Sequence, residues 1–253
     1  MADIARLVAL GASNLTRGFR SVVSASRAAW GPEVEVLAAL GHGRSYGVPS
    51  RVVLRTLPGI LESGLWRALE SLPHRPTRAL VTDVGNDILY GFSAEQTLAW
   101  VEEALNRLQR GTRDIILTQL PVASIQRLSR ARYVMIRSVL FSSCRLSLTQ
   151  ALEAAEAVNA GLAKLATTRG IRFFRPDLAW YGFDPIHIRP SCRRSAWREI
   201  LDARAASNAG RGSLLEGLRL SLMAPERRWI LGVEQFTPQS SVPLPSGARV
   251  WLY

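Results

Sequence analysis

Five short apolar runs, at residues 5–10, 33–40, 78–84, 114–119 and 171–174, set the tightest limit on how this chain can fold. Each is too short for a helix and rich in Val, Ile or Leu, the pattern of strands buried on both faces. Between them lie stretches with the length and periodicity of helices, at roughly 15–29, 58–72, 94–110 and 149–169. The third opens on Ser93 with Glu95 close behind, residues suited to the unpaired amides and positive end of a helix. Strands and helices in alternation imply a parallel sheet covered on both faces. The expectation is a three-layer α/β/α sandwich around a five-stranded parallel sheet.

Two segments depart from that alternation. Residues 125–141 mix Leu128, Met135, Ile136, Val139, Leu140 and Phe141 with four arginines, and read as an extra helix with one buried face. Beyond residue 206 the Ser-Asn-Ala-Gly-Arg-Gly-Ser stretch reads as a connection, which divides the chain into a main domain, 1–205, and an extension, 206–253. Within the extension, residues 228–236 and 248–253 read as two strands of an antiparallel hairpin, packed onto the main domain by Trp229, Trp251 and Tyr253.

Composition excludes several classes of function. Hydrophobic residues make up 47% of the chain and charged residues 21%, enough for a conventional core without disulfides or metals. No apolar run reaches the length of a membrane span, and the first residues lack a basic export signal. Cys144 and Cys192 stand far apart with no metal or redox spacing, so they read as free thiols in a reducing compartment, the cytoplasm. A formal charge of +12 invites a nucleic-acid or anionic-membrane partner. Against it, the basic residues are almost all arginines, Lys164 being the one lysine, and they are spread along the chain. The densest groups, Arg127/Arg130/Arg132/Arg137 and Arg193/Arg194/Arg198, read as solvated helix faces. No specific nucleic acid is expected as a partner.

Chemistry concentrates at the ends of the expected strands, the edge where open α/β sheets hold ligands. After the first strand, Gly11-Ala12-Ser13-Asn14 puts a hydroxyl where a helix begins, beside amides suited to a developing oxyanion. After the second comes Gly41-His42-Gly43-Arg44-Ser45, where a glycine lets a backbone amide approach a substrate. After the third comes Gly85-Asn86-Asp87, with a side-chain amide donor. Near residue 187, Asp184-Pro185-Ile186-His187 places a base three residues after a carboxylate that can orient it. Singly, each is ordinary: a serine there usually caps a helix and an asparagine usually stabilises a turn. Their joint occurrence in this order is the signal.

Together these segments resemble the sequence blocks of the SGNH (GDSL-like) hydrolase superfamily, over residues 5–201. Ser13 matches its nucleophile, and Asp184 and His187 its Asp-x-x-His. Gly43 is similar to the glycine that donates an oxyanion amide, with Gly41 and Gly47 as neighbouring alternatives, and Asn86 matches the second oxyanion donor. The resemblance implies a flavodoxin-like fold and an ester hydrolase with a Ser13–His187–Asp184 triad. It also implies an oxyanion hole of Ser13, Gly43 and Asn86, a small or short-chain O-acyl ester as substrate, and no metal or organic cofactor. His42 and Arg44, beside Gly43, are candidates to line the substrate pocket. Ala12 departs from the family, which carries an aspartate before the nucleophile, so any hydrogen bonds made by that carboxylate must be absent or replaced. That departure keeps one rival open, a non-catalytic binding protein on the same fold, and the charge of +12 keeps a second, a basic-surface polyanion binder.

Overall fold

The computed structural model of the chain describes residues 4–140, 144–203 and 214–253. Its strands are β1 (Arg6–Leu10), β2 (Glu35–Ala39), β3 (Ser50–Val52), β4 (Arg55–Leu57), β5 (Thr77–Val81), β6 (Asp114–Thr118) and β7 (Arg172–Phe174). Four more follow: β8 (Arg227–Ile230), β9 (Val233–Phe236), β10 (Val242–Pro243) and β11 (Arg249–Leu252). The helices are α1 (Ser13–Trp30), α2 (Leu65–Ser71), α3 (Asn86–Leu89), α4 (Ala94–Gln109) and α5 (Val122–Ile125). They continue with α6 (Arg130–Leu140), α7 (Leu148–Arg169), α8 (Arg193–Ile200) and α9 (Leu214–Leu222).

All five expected strands are present and parallel, in the order β2-β1-β5-β6-β7. Side chains alternate between the two faces, as the pleat requires. Val8 and Leu10 pack with Val101, Leu105, Val158 and Leu162 of α4 and α7. Leu7 and Ala9 pack with Phe19, Val22, Trp197 and Ile200 of α1 and α8. Three layers result. Ser93 caps α4 as its sequence suggests, its hydroxyl accepting the Gln96 amide at 3.2 Å.

The sheet is larger than expected. Seven strands compose it, because β11 lies parallel beside β2 and β10 closes that edge antiparallel to β11. Trp251 enters one apolar layer while Val250 and Leu252 enter the other. A strand with two buried faces belongs inside a sheet between layers, not in a half-exposed hairpin. The expected pairing of 228–236 with 248–253 is therefore corrected. Residues 228–236 hold a hairpin of their own, β8 with β9, turned at Leu231 and Gly232 with φ of +53° and +83°. Positive φ at both central residues is what a two-residue hairpin turn of matching twist needs. That hairpin joins β4 and β3 in a separate four-stranded antiparallel sheet. The connection expected at 207–213 lies outside the described residues.

The helix expected over 58–72 is also shorter. A single 3-10 turn, Ile60–Glu62, comes first, and Ser63 is extended, its hydroxyl bonded back to the Ile60 carbonyl at 2.8 Å. That local bond satisfies the carbonyl without a continuing helix. Among the described residues, no helix is long and apolar enough to cross a membrane, and both cysteines are free thiols. The chain leaves β1 toward β2 on one side, and β5 lies on the other. The crevice of an open sheet forms at such a reversal, above the C-terminal strand ends.

Candidate active site

Ser13 begins α1, with two residues between it and the end of β1. Its Oγ lies 2.8 Å from His187 Nε2, and His187 Nδ1 lies 2.6 Å from Asp184 Oδ2. An ionised carboxylate only accepts, so Nδ1 carries the proton and Nε2 is left as an acceptor for the serine hydroxyl. His187 is buried and Asp184 half-exposed. Burial pushes the Asp184 carboxyl up, but the hydrogen bond and charge of His187 oppose it, as do the Ile186 amide and Arg17. Together they hold it below the usual carboxylate value. Arg17, one turn along α1 from Ser13, contributes from 3.7 Å.

Two residues here escaped the sequence. Asp83 follows β5 in the left-handed region, φ +58°. Its Oδ2 accepts the amides of Ala12 at 2.9 Å and Leu15 at 3.0 Å, and its Oδ1 accepts the Asn14 side-chain amide at 2.9 Å. Asn14 also donates to the Ile186 carbonyl at 2.8 Å and accepts the Ile188 amide at 2.8 Å. It thereby holds the main chain on both sides of His187. Asn14 stood within the first motif with no role assigned, and its signal was adjacency to the serine. Asp83 offered only a carboxylate at a strand end.

On the other side of Ser13, Asn86 donates one side-chain N–H to the Arg44 carbonyl at 3.2 Å. An amide nitrogen carries two hydrogens, so a second donor remains. Gly43 adopts φ +62°, and a Cβ there would sit 2.7 Å from Val52 Cγ2 and 2.9 Å from the Tyr90 hydroxyl. Conformation and crowding both demand glycine. The Tyr90 hydroxyl donates to the Gly43 carbonyl at 2.6 Å. Asp87, fully buried, anchors the next two residues, accepting the Ser45 hydroxyl and, at 3.1 Å, the Tyr46 amide. Burial pushes its carboxyl up to about 6 against those two bonds.

Arg44 does not line a pocket. It is fully buried, with Nε on the Pro58 carbonyl at 3.0 Å and Nη1 on the main-chain oxygens of Leu40, at 3.1 Å, and Tyr253. Burial, with Arg55 adding its charge, lowers its pKa to about 9. The expectation that it meets substrate is corrected: the side chain is buried beneath the loop, with Nε and Nη1 bonded to main-chain oxygens. His42 is half-buried outside the cavity described next, and burial, Arg17, Arg55 and His187 lower its pKa.

A cavity of about 130 Å3 opens beside Ser13 and Asn86. Away from them its walls are mainly apolar: Leu89, Leu120, Ile125, Leu128, Ile136 and Ala155, with Tyr133 and Arg137. The helix expected at 125–141 is thus α5 followed by α6, and its buried face forms a wall of this cavity; Phe141 lies outside the described residues. Neither His187 nor Gly43 lines it. Among the described residues, no three His, Cys, Asp or Glu side chains are grouped to hold a metal ion.

No protein-family model matches the sequence, and no curated protein does. Solved structures share the fold. A carbohydrate acetylesterase family member from Sinorhizobium meliloti is 16% identical, with a TM-score of 0.51 over 78% of this chain and 95% of that one. Est24, a carbohydrate acetylesterase from the same organism, is 14% identical, with a TM-score of 0.53 over 79% and 99%. The inhibitor-bound aryl esterase of M. smegmatis is 12% identical, with a TM-score of 0.52 over 80% and 100%. The α/β fold that the resemblance implied is therefore the fold found.

Proposed function

We propose that this chain is a serine ester hydrolase of the SGNH superfamily that works through an acyl-enzyme. The observation that carries the reading is the relay from Ser13 Oγ to His187 Nε2 at 2.8 Å and from His187 Nδ1 to Asp184 at 2.6 Å. In this reading His187 takes the serine proton as Ser13 attacks the ester carbonyl, and Asp184 holds the imidazole in the needed tautomer. The amides of Ser13 and Gly43 and the second Asn86 N–H stabilise the oxyanion. His187 then protonates the leaving alcohol, and water repeats the cycle on the acyl-enzyme. The neighbours' names, acetylesterase and aryl esterase, agree with an ester substrate.

The cavity supports a reading of substrate size. His187 must reach the leaving oxygen yet does not line the cavity, so the cavity suits the acyl side of the ester. Its volume, about 130 Å3, is close to the ~150 Å3 of an apolar cavity that takes benzene, which suits an acyl group of up to about six carbons. The test is a series of p-nitrophenyl esters from acetate to decanoate. Turnover should fall beyond hexanoate, and Ser13→Ala should lower it at least about a thousandfold with the fold intact. Undiminished hydrolysis by purified Ser13→Ala would sink the nucleophile assignment. Decanoate as the best substrate would sink the acyl assignment alone.

A further inference from the structure

We propose that Asp83 is a positioning residue that supplies, from the end of β5, the carboxylate the nucleophile turn lacks at Ala12, and that through Asn14 it fixes Ser13 against His187. The inference rests on Ser13 as nucleophile and goes beyond the triad.

A helix starting at Ser13 exposes its first amides, and the residue before it ordinarily supplies a side-chain acceptor to the second or third. Ala12 has none, and the first turn of α1 contains no acidic residue. Asp83 fills that place from another strand: its Oδ2 takes the amide of Leu15, the third helical residue, and that of Ala12. These two bonds bracket the Ser13 amide without using it, so the donor next to the nucleophile stays available to an oxyanion.

The second oxygen extends the hold. Asp83 Oδ1 fixes the Asn14 side chain, whose remaining polar groups bind the Ile186 carbonyl and the Ile188 amide. One carboxylate thus sets the helix start, and through one amide it sets the loop carrying the base. The Ser13–His187 distance depends on both. The backbone records the cost: φ +58° is disfavoured for a residue with a Cβ, although aspartate tolerates it better than most. Glycine would relieve that strain, so the carboxylate is what aspartate adds.

Glycine is therefore the informative substitution, because Asp83→Gly keeps the backbone comfortable while deleting the carboxylate. With the best p-nitrophenyl ester, kcat should fall about a hundredfold, the scale of a 1 Å misplacement, with KM nearly unchanged. Amide exchange at residues 12 and 15 should quicken at least about tenfold while exchange in β1 stays as it was. Adding Ala12→Asp to Asp83→Gly should recover about tenfold of the lost kcat, by returning an acceptor within reach of the Leu15 amide. Ala12→Asp alone should lower kcat, since two carboxylates then compete for the same donors. Wild-type kcat in Asp83→Gly, unchanged exchange at residues 12 and 15, or no recovery in the double variant would each overturn the proposal. If exchange quickens while the wild-type protein hydrolyses no ester, the tether stands and the esterase reading falls.

Discussion

Two loops leave neighbouring strands of the sheet, and each is fastened by a carboxylate from the segment after β5. The turn after β1 that carries Ser13 hangs on Asp83, which is half-exposed and accepts three N–H donors. The loop after β2 hangs on Asp87, which is fully buried and accepts a hydroxyl and an amide. One turn of chain separates them, yet they differ in burial, and burial pushes the Asp87 carboxyl up to about 6. A carboxylate near water gains from its donors at little cost. One without water must offset a desolvation penalty that two neutral donors do not cover. The Ser13 side is therefore held by a carboxyl that keeps contact with water, and the Gly43 side by one that packing has stripped of it.

Asn86 stands between the two aspartates, and of the changes that bear on how the two loops meet its removal should have the largest effect. Asn86→Ala deletes the clamp on the Arg44 carbonyl and, in the proposed mechanism, an oxyanion donor, so kcat should fall about a hundredfold or more with KM little changed. A loss below tenfold would show that the two loops meet without it.

The difference between the aspartates should appear next in stability. Asp87 binds its proton more tightly folded than unfolded, so its contribution is full below the ordinary value of 3.8 and is lost as pH rises to about 6. The loss amounts to about 3 kcal/mol. Asp87→Asn should therefore remove a decline in stability between pH 4 and pH 6 that the wild-type protein shows in denaturant titrations. Parallel curves for the two proteins would erase the contrast between the loops.

The smallest effect concerns the surface. Many arginines are already paired, as in Arg78–Asp114, Arg107–Glu103 and Arg169–Glu102, or lie over rings, as Arg78 does over Trp30 and Arg132 over Phe183. These contacts spend part of the basic charge and the remaining arginines are spread along the chain, so duplex DNA should bind more weakly than about 1 μM at physiological salt. Tighter binding that survives that salt would make the basic surface, rather than either loop, the functional feature.

The sequence made the strands legible because residues such as Val8, Leu37 and Ile116 sit in runs with no polar face, a pattern a helix of that length does not use. Three of the four motifs were legible because each followed such a run, and the fourth through its Asp-x-x-His spacing. What stayed hidden depended on conformation or on partners distant in sequence. Asp83 reads as the end of a strand, since nothing in Thr-Asp-Val announces a left-handed residue. Arg44 reads as a pocket-lining candidate because its three main-chain partners come from residues 40, 58 and 253. The β8–β9 turn went unread because Leu231-Gly232 lacks the Asn-Gly or Asp-Gly that usually marks such turns.

The place of β11 bears on how the molecule is made. Leu37 pairs with Trp251, so one side of β2 acquires its neighbour only from the far end of the described chain. During synthesis that edge of apolar residues stays open while the other parallel strands are already available, a template for pairing with another nascent chain. Contacts so distant in sequence also form late. Because Arg44 reaches the main-chain oxygen of Tyr253, the loop beside Gly43 acquires its last tether in the same event. Ribosome-bound chains halted before residue 249 would thus carry the nucleophile turn complete and the neighbouring loop unsecured.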